Sequence, residues 1–205
     1  MKFTGTPDEI VTHIRRDAPN LMAPDAVVRA REIIAPGRAQ MEDWQGAALY
    51  ALARPYNRGG ANILEIGTAA GFSAAVLALA CPNASITTLN PAAHEVTTAA
   101  RALERFTNIT VLQVKSWDYL KLYRGPCLDM VWIDGDHRQV ARDLPWYEWL
   151  RPHGLMLLHD YSPSACPPVW ASVNTWARDR RRPADVSVLD DRQIGIVGFY
   201  RREEV

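Results

Sequence analysis

Neither sign of charge is in excess along this chain: Lys and Arg total 23 against 23 for Asp and Glu. A molecule without a net field has no global attraction to nucleic acid or to an acidic membrane, and any such contact would need a local patch. Cysteine is scarce. Cys81, Cys127 and Cys166 are far apart, with neither a Cys-x-x-Cys pair nor the clustering of a zinc site, which excludes a disulfide framework and leaves free thiols in a reducing compartment. Long apolar runs are lacking too, since the longest, Ala74–Cys81, is too short to cross a bilayer. The stretch 1–20 carries Asp8, Glu9, Arg15, Arg16 and Asp17 and no apolar segment of the secretory kind, so cytoplasmic residence with no membrane partner is expected.

What is present is an ordinary globular composition, 48% hydrophobic and 22% charged over 205 residues, without an interdomain linker. One domain is expected, in which 1–60 forms a helical cap on a core of 61–205. Helices are predicted over Asp8–Arg16, Asp25–Ile34 and Met41–Arg54, separated by Pro19 and Pro24 and stopped by Pro55. From Asn62 onward, short apolar runs alternate with longer segments of helical period, the pattern of a mostly parallel sheet with helices on both faces. The predicted strands are Ile63–Ile66, Ile86–Leu89, Ile109–Val114, Leu128–Ile133, Leu155–Leu158, Val186–Leu189 and Ile194–Tyr200. The predicted helices are Phe72–Ala80, Ala92–Arg105, Gln139–Leu150 and Val169–Arg180, with a break expected at Pro145. The last two strands are joined only by Asp190–Gln193, too short for a helical crossover, so they must form an antiparallel hairpin.

Two polar constellations interrupt this pattern. The first strand runs through Glu65 into Gly67-Thr68-Ala69-Ala70-Gly71 and a helix beginning at Phe72 and Ser73. Glycines at the carboxyl end of a parallel strand let the backbone approach a ligand while the helix amino terminus offers free N–H groups. The loop has neither the spacing of a dinucleotide fingerprint nor the Lys-Ser/Thr of a P-loop, which disfavours a nicotinamide oxidoreductase and an ATPase. The second constellation is Asp134, Asp136 and His137 past the fourth strand, with His159 and Asp160 past the fifth. Neighbouring parallel strands end about 5 Å apart, so Asp134 and Asp160 can converge on one substrate or one cation. Adjacent side chains of a strand point to opposite sides, which assigns His159 a structural role.

Glu65-Ile66-Gly67 through Gly71-Phe72-Ser73 resembles the first motif of class I S-adenosylmethionine (SAM)-dependent methyltransferases. The block Ile133-Asp134-Gly135-Asp136-His137, then Arg151-Pro152-His153-Gly154, then His159-Asp160-Tyr161 resembles that of small-molecule O-methyltransferases of the catechol and macrolide-sugar kinds within that class. The resemblance spans the chain from Asn62 to its carboxyl terminus. It implies a Rossmann-like α/β sheet of seven strands in the order 3-2-1-4-5-7-6, the last antiparallel, with the helical preface covering the substrate. It implies SAM held by Glu65, Gly67, Thr68, Gly71, Phe72, Ser73, Asn90, Ser116, Trp117 and Asp134, and a small hydroxylated acceptor. His137 stands where catechol-type relatives carry a lysine base, and a histidine can serve as base near neutral pH. Asp134 and Asp160 stand where those relatives hold Mg2+, but Tyr161 replaces an amide ligand, so metal-bound and metal-free sites both remain open.

At the nucleoside end the sequence departs from its relatives. Asn90 replaces the acid that grips the ribose hydroxyls, so Asn90→Asp is expected to tighten binding. Lys115 replaces an acid that reaches the adenine, leaving Ser116 and the face of Trp117 to define that pocket. These losses keep alive a non-catalytic nucleotide-binding protein of the same fold. A nucleic-acid methyltransferase is the other rival, on the basic run Arg178–Arg182, but cations at a helix carboxyl end complement its dipole, and the Asn/Asp-Pro-Pro-aromatic signature is missing after the fourth strand. Monomer and homo-oligomer are equally compatible with the sequence.

Overall fold

The computed structural model describes residues 25–34, 41–181, 184–189 and 195–202. Seven strands, β1 (Asn62–Ile66), β2 (Ser85–Asn90), β3 (Ile109–Gln113), β4 (Leu128–Ile133), β5 (Leu150–Tyr161), β6 (Val186–Leu189) and β7 (Gly195–Tyr200), form one sheet in the order β3-β2-β1-β4-β5-β7-β6. The first five are parallel and β7 runs antiparallel to both β5 and β6, as the short connection requires. The connecting residues Asp190–Gln193, like Ile194 and the predicted helix Asp8–Arg16, lie outside the described residues.

The helices are α1 (Asp25–Ile33), α2 (Asp43–Ala53), α3 (Phe72–Ala80), α4 (Ala93–Ala102), α5 (Ser116–Leu122) and α6 (Pro167–Asp179). Every residue of β4 is buried, because a central parallel strand is covered on both faces. Side-chain alternation sends Ile63, Met130 and Trp132 to the core beneath α1, α2 and α3, and Leu64, Val131 and Ile133 to the core beneath Trp146 and Trp176. Asp129 breaks the apolar run without leaving the interior: at the amino end of β4 its carboxylate pairs with Arg58 and Arg151 and accepts the Asn62 backbone N–H at 2.8 Å. The described part of the preface, α1 and α2, packs on α3, with the Arg31 guanidinium 4.6 Å from the centre of the Phe72 ring. Among the described residues no helix is long and apolar enough to cross a membrane.

Three elements differ from expectation. The predicted helix Gln139–Leu150 is two short 3-10 turns, Val140–Arg142 and Leu144–Trp149, because Pro145 at the start of the second turn has no N–H with which to continue a helix from the first. Strand β5 begins at Leu150 rather than Leu155: it pairs through Leu128↔Leu150, bulges over 151–154 with His153 at φ 64°, and resumes at Met130↔Leu155. Helix α5 is too short for its periodicity to be read from sequence.

Candidate active site

The carboxyl ends of β1, β2 and β4 surround a cavity of about 600 Å³ lined entirely by residues between Ile66 and Asp143. Its floor depends on Gly67. That residue has φ 100°, its N–H donates to the Leu89 carbonyl at 2.9 Å, and the next strand closes against it through Asp134 N–H to the Ile66 carbonyl at 2.8 Å. A Cβ at position 67 would sit 2.0 Å from the Asp134 carbonyl oxygen, so no side chain fits where the glycine loop and the β4 end meet. Gly71, also left-handed at φ 96°, caps α3 and turns the loop into that helix.

Glu65 is wholly buried behind the loop. The Thr88 hydroxyl donates to its Oε2, while Oε1 makes no hydrogen bond. Burial pushes its pKa up to about 7, with the Asp134 charge adding to the rise and the Ser73 and Thr88 hydroxyls opposing it. Thr68, Gly71, Phe72 and Ser73 are buried and do not line the cavity, whereas Gly67, Asn90, Ser116, Trp117 and Asp134 do.

At the β2 end the Asn90 side chain is engaged on both sides, its Oδ1 accepting the Ala92 N–H at 2.8 Å and its Nδ2 donating to Glu95 Oε2 at 2.7 Å. On the opposite wall Ser116 donates to the buried Asp143 carboxylate, whose pKa burial raises to about 6 against that hydrogen bond. The Trp117 ring is flanked by Lys115 Nζ at 5.7 Å and the Arg142 guanidinium at 5.0 Å, so cations rather than an acid border this face. Glu95, Arg142 and Asp143 were not singled out by the sequence. The first-turn position of Glu95 just after Asn90-Pro91 was the one available signal for it, while Arg142 and Asp143 reach the cavity from the junction of the two 3-10 turns that stand where a continuous helix was expected.

Asp134 lies on the cavity wall and also faces two histidines. His159 Nδ1 is 3.1 Å from Asp134 Oδ1 and 3.1 Å from Asp160 Oδ2, and His137 Nε2 is 3.0 Å from the same Asp160 oxygen. This corrects the assignment of His159 to a position facing away. Asp160 adopts φ 52° and the β5–β7 register slips between Leu158 and Tyr161, so the alternation of side chains fails at the strand end and both residues reach one site. Burial acts to lower the His159 pKa, but Asp134 and Asp160 outweigh it and carry it up to about 10. Burial likewise opposes ionisation of Asp160, yet hydrogen bonds from His137 and His159 hold it well below the usual carboxylate range. The hydrogen bond to Asp160 raises the His137 pKa, helped by the charges of Asp160 and Asp134 and opposed by burial and by His159.

Asp134, His137 and Asp160 each offer a ligand atom, and these atoms lie within 4.8 Å of one another, close enough to hold a cation. The Tyr161 hydroxyl is turned to Asn174 on α6, donating to Oδ1 at 3.2 Å and accepting from Nδ2 at 3.0 Å. The aromatic residues Trp132, Trp146 and Tyr147 are core, and Trp149 packs against it with its ring 4.8 Å from that of Tyr123.

Residues 64–161 match a protein family described as a methyltransferase domain. The O-methyltransferase from Bacillus cereus in complex with SAH is similar at TM-score 0.67 and 18% identity, over 95% of this chain and 100% of that one. The SAH-bound methyltransferase PaMTH1 of Podospora anserina is similar at TM-score 0.68 and 18% identity, over 100% of this chain and 98% of that one. The O-methyltransferase TomG of Streptomyces achromogenes, involved in tomaymycin synthesis and in complex with SAM, is similar at TM-score 0.66 and 18% identity, over 96% and 99% of the two chains. No curated protein matches the sequence.

Proposed function

We propose that this chain, whose residues 64–161 match a methyltransferase domain, moves a methyl group from SAM to a hydroxyl oxygen of a small molecule, with His137 as the base. The observation that carries this reading is Asp134: it lines the cofactor-sized cavity and at the same time belongs to the cluster that holds His137. The cavity falls within the size range of small-molecule sites. It suits SAM in charge as well as size, because Glu95, Asp134, Asp136 and Asp143 line it against Lys115 and Arg142. When bound, SAM would supply an electrophilic sulfonium methyl group, the new O–C bond forming in line as the C–S bond breaks and SAH leaves.

The protein's own residues do the rest. The loop around Gly67 brings backbone to the cavity floor, and Trp117 and Ser116 bound the nucleoside end. The acceptor hydroxyl sits between Asp134 and His137, and its proton passes to an imidazole nitrogen whose ring Asp160 orients. His159 lies 3.1 Å from both Asp134 and Asp160 and ties the two carboxylates together beside the acceptor. Alignment of the two reactants supplies most of the acceleration. The absence of net charge favours a small acceptor over nucleic acid.

A second reading rests on the geometry of Asp134, His137 and Asp160: a divalent cation such as Mg2+ would be held by the two carboxylates with His137 as third ligand and would polarise the acceptor oxygen. The two readings compete for His137, because a nitrogen that binds metal cannot take the proton. Calorimetric titration with SAM and SAH, followed by methyl-transfer assays on catechols, glycosides and other hydroxylated metabolites, tests the function. Failure to bind either ligand refutes it. Turnover that disappears on chelation and returns with Mg2+ selects the metal-holding form.

A further inference from the structure

The Asn90 amide is only 5% exposed and is held at both ends by its own neighbours, Oδ1 by the Ala92 N–H and Nδ2 by Glu95, so little of it faces a ligand. Its effect falls on Glu95 instead. A glutamate in the first turn of a surface helix ordinarily samples several rotamers in water, but here a buried amide fixes one carboxylate oxygen at 2.7 Å and turns a side chain with 40% exposure onto the cavity wall. The nearest ionic partner of the second oxygen is His94 at 3.9 Å, beyond hydrogen-bond distance, which leaves its lone pairs for another donor. Leu89, Pro91 and Ala92 complete this end of the wall. In doubly wound sheets the end of the second strand is where the sugar of a nucleoside ligand lies, and a carboxylate there accepts hydrogen bonds from its hydroxyls.

Resting on the SAM-binding reading, we infer that Glu95 is the acceptor for the ribose diol of the cofactor and that Asn90 is the residue that positions it. The carboxylate of which position 90 is bare is thus delivered from one turn into α4, across a hydrogen bond. This reverses the expectation for Asn90→Asp: the substitution removes the donor that holds Glu95 and sets a second negative charge at 2.7 Å from the first, so it weakens binding.

Equilibrium binding of SAH and of its 2′-deoxyribose counterpart to the full chain tests the inference. Wild type is expected to prefer SAH at least tenfold. Glu95→Gln, isosteric and at a partly exposed position, is expected to lose tenfold or more in SAH affinity while the deoxy ligand changes less than twofold, and Asn90→Asp is expected to weaken SAH in the same selective way. Unchanged SAH affinity in Glu95→Gln, or equal weakening of both ligands, overturns the role of Glu95 and leaves the SAM reading standing. Wild type that binds neither ligand overturns that reading, and this one with it.

Discussion

Replacing Glu65 by Gln gives the sharpest test of the buried architecture behind the glycine loop. Glu65 is 0% exposed and its pKa is carried from an ordinary 4.5 to about 7 by desolvation. Between those two values the native chain keeps a proton that the unfolded chain has lost, so the native state binds more protons and stability falls as pH rises through the window, levelling above about pH 7. At 1.36 kcal/mol per pH unit, the wild-type chain forfeits about 3 kcal/mol across that interval through this one group. Gln does not titrate. The difference in unfolding free energy between Glu65→Gln and wild type is therefore expected to move by about 3 kcal/mol in favour of the variant between pH 4.5 and pH 8. Urea unfolding at a series of pH values reads it directly, and subtracting one protein from the other cancels the other titrating groups. The absolute offset is less informative, because the new amide must find an acceptor where Glu65 Oε1 had no partner, at a cost of about 1–3 kcal/mol. Parallel stability profiles would show that Glu65 titrates normally in the folded chain. A difference moving the other way would mean that a positive group, unseen among the described residues, neutralises it.

His137→Ala is expected to lower kcat by roughly 100-fold while SAH affinity, measured by calorimetry, stays within about twofold, since a base acts on the acceptor and not on the cofactor. Near-normal turnover would return His137 to a structural role and make Asp136 the next base to test. In wild type, kcat/KM is expected to rise with pH through a pKa above the ordinary histidine value, because Asp160 stabilises the protonated ring and only the deprotonated ring accepts a proton; a midpoint below that value argues for a bound cation. Gly67→Ala adds a Cβ 2.0 Å from the Asp134 carbonyl oxygen at φ 100°, so a destabilisation on the order of 3 kcal/mol or more is expected alongside loss of SAH binding. An unchanged Tm for that variant would mean that the loop and the β4 end are not in contact.

Local pattern was enough to read the strands, whereas their order across the sheet came from the resemblance to methyltransferases. Runs such as Ile63–Ile66 and Leu128–Ile133 are short, apolar and bounded by polar residues, and a connection as brief as Asp190–Gln193 forces a hairpin whatever surrounds it. The meeting of Asp134 with Asp160 was legible for the same reason, since parallel neighbours put their carboxyl ends side by side. Other features depend on how distant segments settle. The strand alternation that turned His159 away fails because Asp160 adopts a left-handed backbone, and the sequence does not show which non-glycine residue will accept that strain. Ser116 meets Asp143, 27 positions further along the chain, only after α5, β4 and the turn Val140–Arg142 have folded, and Arg142 reaches the Trp117 ring for the same reason. Asn90 shows the division most clearly. Its identity, an amide where an acid was expected, was plain in the sequence, but that this amide holds the Ala92 N–H and the Glu95 carboxylate was decided by the three-dimensional arrangement of the turn and the first turn of α4, which residue type alone does not encode.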